Sequence, residues 1–413
     1  MQRNVSKYAP LGPWPGRTTW RMKTMKESKL RIFTLIVFLI FFSCSEEKKE
    51  SDSSLNNVTR GDWPVFRGDA ALSGWIKIKL PDHLVLKWKF NTQDMVISTP
   101  VIVKDSVYIG SLNGILYSLN LITGVKNWEF DTGDEIQASA LFLKKSLYIG
   151  SKNGIFFSLN PETGKVQWKY KLDNSIYGAA NYAKVSKDKD DYFIYVGCYD
   201  NKMYCFQAQS GKLIWTYETD NYINGAPACD EKQLVFGGCD EKLHIVSALK
   251  GKKIGEVQTG SYIPGSAALV DNKAYLGHYG NKLICIDIEK QKIVWEYSVK
   301  ENGDAFFSSP AVGKDFVIIG SRDGYIHCVR KHNGSKVWLF QTGDEVDSSP
   351  VIAGDKVFFG SADGRLYGVR LKNGKQVWSY EIGAAIIGSP AVIQGSIIIG
   401  AEDGYIYAFG DKK

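Results

Sequence analysis

The chain has 413 residues, 44% of them hydrophobic and 13% aromatic, with 41 glycines against 12 prolines, a composition that can bury a large core and excludes a wholly disordered chain. Its formal charge of +7 is concentrated at one end: residues 1–43 hold 8 of the 51 Lys and Arg and 1 of the 44 acids, which leaves 43 of each from Cys44 onward. A balanced body offers no global basic field to nucleic acid, so no nucleic-acid partner is expected.

The first feature along the chain is Ile32 to Phe42, an apolar run of 11 residues, short of the roughly 20 that a membrane-spanning helix needs. Lys26, Lys29 and Arg31 precede it, and Phe41-Phe42-Ser43-Cys44 behind it resembles a bacterial lipobox. Residues 25–43 therefore read as a lipoprotein signal peptide with Cys44 as the lipidated residue; export without lipid is the alternative. Residues 1–24 read as an over-extension upstream of Met25. Residues 44–61, with SEEKKESDSS after the cysteine, bury too little surface to fold and suit a flexible tether. This organisation predicts a protein of the cell envelope, lipid-anchored on the periplasmic face of the outer membrane.

Residues 62–82 open with Asp62-Trp63-Pro64-Val65-Phe66-Arg67-Gly68. Two rings and an arginine ahead of the first regular strand predict a clasp that docks on whatever follows.

Residues 83–413 are repetitive. A glycine ends an apolar triplet at Gly110, Gly150, Gly197, Gly237, Gly277, Gly320, Gly360 and Gly400, with spacings of 40, 47, 40, 40, 43, 40 and 40. A forty-residue period of short apolar runs and glycine turns predicts an all-β fold, an eight-bladed β-propeller of four-stranded blades. In the first unit the strands are expected at Pro100–Val103, Val107–Gly110, Ile115–Asn120 and Val125–Phe130. The turn after the second strand carries Gly114, Gly154, Gly324, Gly364 and Gly404, or Asn201 and Asn281, all tolerant of positive φ; Glu241 predicts a different turn in the fourth unit. The first unit to the third carry Trp128, Trp168 and Trp215 eighteen residues after the glycine, and the fifth to the seventh carry Trp295, Trp338 and Trp378. Gly400 has no such partner before the chain ends, whereas Trp88-Lys89-Phe90 matches Trp128-Glu129-Phe130. An N-terminal strand should therefore complete the C-terminal blade and close the ring, which removes exposed sheet edges. The tryptophans read as inter-blade packing residues whose N–H finds a carbonyl. Gly255 breaks their series and predicts weak packing at the outer edge of the fourth blade.

The recurring S-P-x-V, apolar-Gly-S-x-D/N-G-x-L-Y and T-G-K-x-x-W-x-Y pattern resembles the pyrroloquinoline-quinone (PQQ)-like repeat family of propellers, and the Trp63 to Gly68 opening looks like one common in that superfamily. A lipoprotein signal ahead of an eight-bladed propeller of this length is similar to the BamB-type lipoproteins of outer-membrane β-barrel assembly. That resemblance implies a non-enzymatic scaffold whose partner is an envelope protein, the barrel-inserting outer-membrane subunit. The quinoprotein dehydrogenases of the same superfamily imply calcium ligands, a catalytic Asp and adjacent cysteines over the quinone. The chain has no Cys-Cys dipeptide, and no acid stands in a motif matching those ligands. No catalytic residue, metal or cofactor is therefore expected; PQQ with calcium belongs to an enzyme alternative, and a small-molecule sensor using the channel is a third reading.

EF-hand, P-loop, Gly-x-Ser-x-Gly and His-Glu-x-x-His motifs are absent, and His83, His244, His278, His327 and His332 show no metal-ligand spacing. His244 and His327 fall in the slot of Tyr117, Tyr204, Tyr367 and Tyr407 and are expected to act as aromatics. Cys205, Cys285 and Cys328 share a slot with small residues and read as buried free thiols; no pairing of Cys198, Cys229 or Cys239 follows from sequence.

The segments joining the last strand of one blade to the first of the next vary while the strands repeat, as binding loops on a scaffold should. They supply the candidate rim: an acidic arc of Asp134, Glu135, Asp344, Glu345 and Asp347, and an aromatic arc of Tyr177, Tyr222, Tyr262, Phe306 and Phe307, whose rings would anchor a protein. Two loops are longer than their counterparts, Val185 to Asp191 and Val299 to Asp304.

Overall fold

Short apolar runs separated by tight turns pair most readily with their sequence neighbours, and this is how the chain folds. The structure, a computed structural model, describes residues 61–186, 191–299 and 303–412; Cys44, the signal segment and residues 44–60 lie outside these, as do the middles of the two lengthened loops. All named elements are strands, and no helix among the described residues is long and apolar enough to cross a membrane. The strands form eight sheets, each with four antiparallel strands and one of them with a fifth, parallel strand added at its inner edge. We letter the strands of each blade A to D from the channel outward. Blade 1 comprises Val101–Val103, Ser106–Gly110, Ile115–Asn120 and Lys126–Asp131, within one residue of expectation at every boundary.

The ring closes as predicted. Blade 8 takes A to C from Ala391–Ile393, Ser396–Gly400 and Tyr405–Gly410, and D from Val85–Asn91, which runs antiparallel to the last strand from Val85↔Gly410 to Asn91↔Tyr405. Trp88 then donates its indole N–H to the Leu121 carbonyl of blade 1, and Trp378 of blade 7 donates to the Leu84 carbonyl beside the closing strand. Trp128, Trp168, Trp215, Trp295 and Trp338 make the same bond to the next blade at 2.9–3.1 Å.

The repeating glycine at the end of strand B reflects crowding. A Cβ on Gly110 would stand 2.2 Å from Ile136 of the following D–A segment, and Gly150, Gly360 and Gly400 meet Ile176, Ile386 and Val96 in the same way. That contact seats the D–A segment and buries its apolar residue.

Two sequence expectations need correction. Glu241 forms the same turn as its counterparts, at φ +63°, and its carbonyl accepts the Thr259 hydroxyl as the Gly114 carbonyl accepts that of Thr132. At Gly255 the outer edge of blade 4 is filled, because the Gln291 side chain of blade 5 reaches within 2.3 Å of where a Cβ would be.

Residues 62–84 are more than an external clasp. Trp63 bridges to Ile102 of blade 1, and the carbonyls of Pro64, Ala70 and Ser73 accept N–H groups from Phe142 of blade 2, Cys229 of blade 4 and Val312 of blade 6. Trp75–Ile76 adds a short parallel strand to blade 7 at Ile352 and Ala353. Arg67, 1% exposed, donates to the carbonyls of Ser349, Pro310 and Pro350. The segment thus lies across the innermost strands and plugs one end of the channel.

Candidate functional site

A meander of four strands puts every D–A segment and B–C turn at one end of the propeller and every A–B and C–D turn at the other. The plug occupies the second end; the candidate rim is the first. Backbone bonds lock the two halves of that rim together: the N–H of the second residue after each strand-B glycine, at Lys152, Tyr199 and Arg322 among others, donates to a D–A carbonyl.

These B–C residues, which sequence reasoning missed, reorganise the predicted site. Tyr199 lies between two predicted residues, with its ring 4.6 Å from Tyr177 edge to face and 4.8 Å from Tyr222, stacked at 9°. Burial raises the pKa of Tyr177 and Tyr199. Tyr262 stands 6.4 Å from Tyr279, which is 5.0 Å from Phe307, and burial pushes the Tyr279 hydroxyl up to about 12. Tyr177, Tyr199 and Tyr279 therefore remain neutral at physiological pH.

The acidic arc divides. Asp134 and Asp344 are turn residues, their carboxylates accepting the backbone N–H of Glu135 and Glu345 at 2.8 Å. Glu135 is paired with Lys152 at 2.8 Å. Asp347, 7% exposed, takes a bidentate bond from Arg322 at 3.0 and 2.8 Å, and the guanidinium lies 3.5 Å from the Phe307 ring centre. Glu345 lies 3.4 Å from the same arginine; burial, then the Asp347 charge, raises its pKa, and the same causes raise that of Glu402. Two cations from the B–C turns thus pair with three of the five predicted acids, Lys152 with Glu135 and Arg322 with Glu345 and Asp347.

Two predicted anchors are not on the surface. Phe306 is 0% and Phe307 1% exposed: Phe306 is the residue that packs on the strand-B glycine, Gly277. Phe307 joins Ile97 and Ala305, with Leu112 and Ile387 against them, in an apolar cluster at this mouth. Tyr222 and Tyr262, 39% and 45% exposed, are the rings that present free faces. The missed residues carried a signal, since the second position after the glycine varies through Leu112, Lys152, Tyr199, Cys239, Tyr279, Arg322, Ala362 and Glu402 in an otherwise repeating turn.

His244 and His327 do act as aromatics. Each accepts or donates at 3.1 Å with a tyrosine of the preceding blade, Tyr217 or Tyr297, and bonds Asp240 or Asp323 four residues earlier, as Tyr367 bonds Asp363. Cys198, Cys205, Cys229, Cys239, Cys285 and Cys328 are buried free thiols.

Fold and repeat together define the class: this is a PQQ-like repeat β-propeller with eight blades. The sequence pattern of the family described as outer membrane protein assembly factor BamB matches residues 85–189, 189–258 and 240–413, and the chain belongs to that family. BamB from Moraxella catarrhalis is similar in structure, with a TM-score of 0.67 at 20% identity over 80% of this chain and 98% of that one. Quinohemoprotein alcohol dehydrogenase from Comamonas testosteroni aligns at 0.68 and 13% identity over 88% of this chain and 83% of that one. A europium-containing methanol dehydrogenase aligns at 0.70 and 14% identity, covering 87% and 100%. At these identities the likeness is one of fold. No curated protein matches in sequence.

Proposed function

We propose that the chain is a non-enzymatic, lipid-anchored scaffold of the cell envelope, held through Cys44, that binds protein at the D–A rim as a BamB-like accessory of outer-membrane β-barrel assembly. Its partner in this reading is the barrel-inserting subunit. The observation that carries it is the Tyr177–Tyr199–Tyr222 stack with Tyr262 nearby, in which half-buried Tyr177 and Tyr199 back the exposed rings of Tyr222 and Tyr262, beside a salt-bridged Arg322–Asp347 pair. Rigid aromatics flanked by charge form the usual centre of a protein interface.

The residues present do not fit the quinone-and-calcium alternative. Calcium takes six to eight oxygen ligands, whereas Asp347 is consumed by Arg322. Among the described residues no group of three or more His, Cys, Asp or Glu is placed to hold a metal ion. Titration of the purified protein with PQQ and calcium is expected to give neither a spectral change nor a thermal shift.

Photo-crosslinkers placed at Tyr222 and Tyr262 in cells are expected to capture the barrel-inserting subunit, and Tyr222→Ala with Tyr262→Ala to weaken co-purification by about ten-fold or more. Capture of unrelated envelope proteins alone would remove the pathway. Binding unchanged in the double variant would remove the rim.

A further inference from the structure

The opposite face carries a second site. Between the plug and the A–B turns of blades 5 and 6 lies an open cleft of about 620 Å³, within the range of roughly 300–1,000 Å³ typical of ligand sites. Its walls are apolar, with Trp75, Ile76 and Ile78 from the plug and Val270 and Val312 from the blades. Trp75 is 42% exposed, a large ring left to solvent on a segment that otherwise packs inward.

Three aspartates and three lysines line the lip. Lys331 is paired with Asp271 at 2.6 Å, Asp69 accepts the N–H and O–H of Ser73, and Asp62 accepts the Lys104 N–H. Lys77 and Lys314 are exposed and make no ion pair among the described residues. An exposed tryptophan over an apolar trough, flanked by two lysines, is the arrangement found where proteins meet the headgroup layer of a membrane.

The chain enters the described fold beside this cleft. Gly61 is the first described residue and Asp62 lines the cleft. The 16 residues between Cys44 and Gly61 reach at most about 55 Å when fully extended. If Cys44 holds a lipid, the start of the plug stays within that distance of the bilayer.

We infer that the cleft binds an anionic phospholipid of that membrane, with an acyl chain against Trp75, Ile78 and Val312 and the phosphate between Lys77 and Lys314. The ligand's source rests on the anchoring reading of Cys44. One lipid chain anchors a protein only marginally and a second contact makes attachment stable; the cleft supplies such a contact and sets the molecule's orientation.

The test uses the full mature chain carrying Cys44→Ser, so that no covalent lipid contributes. Flotation with vesicles of phosphatidylethanolamine and phosphatidylglycerol is expected, and none with phosphatidylcholine. Brominated acyl chains should quench a component of the tryptophan emission that is missing in Trp75→Phe. An anionic surface attracts each lysine by about five-fold in affinity, so Lys77→Glu with Lys314→Glu should lower partitioning at least ten-fold. Equal partitioning of that variant, quenching unchanged in Trp75→Phe, or a lipid-free dimer that buries Trp75 would each overturn the inference. Acylation is read separately from the mass of the native N-terminal peptide; an unmodified Cys44 would remove the anchor and leave the vesicle result standing.

Discussion

His278 occupies the position that Ser111, Ser151, Ser321 and Ser361 hold in other blades, one residue past the strand-B glycine. Its Nδ1 accepts the Gly280 N–H at 2.9 Å, while Nε2 is buried without a partner among the described residues. His244 and His327 are as deeply buried, but each has an aspartate on Nε2. Burial, and to a lesser degree Lys282, holds the His278 pKa down at about 4 against a normal 6.5, with Glu296 opposing. Above 6.5 the ring is neutral folded or unfolded and contributes nothing to pH dependence. Between 6.5 and 4 the unfolded chain takes up a proton that the fold refuses, so stability falls as pH falls, by about 3 kcal/mol in all; below 4 both states are protonated and the loss ends. His278→Ser, which restores the residue of the other blades, should flatten urea-melt stability across this window. An unchanged slope would show that His278 is already protonated or solvated in the fold.

At the scale of the blade interface, tryptophan and glycine act as a pair. Trp88, Trp128, Trp168, Trp215, Trp295 and Trp338 each lie over a turn glycine of the next blade, Gly124, Gly164, Gly211, Gly251, Gly334 and Gly374, so closely that a Cβ on any of these glycines would come within 3 Å of the indole. Where blade 4 has Gly255, blade 5 has Gln291 at that turn, at φ +52°, and the glutamine fills the place of the ring. Gly255→Trp alone would collide with Gln291 and is expected to destabilise by about 2 kcal/mol. Gln291→Gly alone would leave a void, and the double substitution should recover most of both losses, a coupling that a double-mutant cycle in thermal unfolding measures. Additive losses would mean that the two positions do not meet. The same pairing shows what the sequence could and could not yield. The glycine and tryptophan series are legible because they recur in register; the void expected at Gly255 comes from reading one column without its partner in the next blade. Phe306 reads as a rim anchor for the same reason, although in its column it replaces Ile136 and Ile176, the residues that pack on glycine. Arg322 and Lys152 escape a sequence reading because their turn looks structural, yet its variability marks it as part of the rim.

At the scale of the molecule, the ends of the chain hold the ring. The forty-residue period makes eight blades and their closure legible, because a period fixes which strand is missing from the last unit. The plug is less so: its path depends on backbone bonds to the inner strands of several blades, which leave no periodic trace, and only Trp63 and Arg67 hint that it docks. Closure joins blade 8 to both neighbours through Val85–Asn91, with Trp88 bonded to blade 1 and Trp378 bonded beside Leu84. A chain beginning at Thr92 would lose this strand and the plug, leave Tyr405–Gly410 as an open edge, and strip Trp378 of its acceptor. Open edges of this kind pair with other chains, so light scattering should show the truncated chain self-associating more than the intact protein. A synthetic peptide spanning residues 62–91 should then bind, reverse that added association and raise the melting temperature. A peptide of the same length with Trp88→Ala and Arg67→Ala should do so more weakly, because it lacks both the inter-blade indole and the guanidinium that gathers the carbonyls of Pro310, Ser349 and Pro350. If the truncated chain were already monomeric and as stable as the whole, the ring would be held by its seven complete blades, and the N-terminal segment would be free to serve a partner instead.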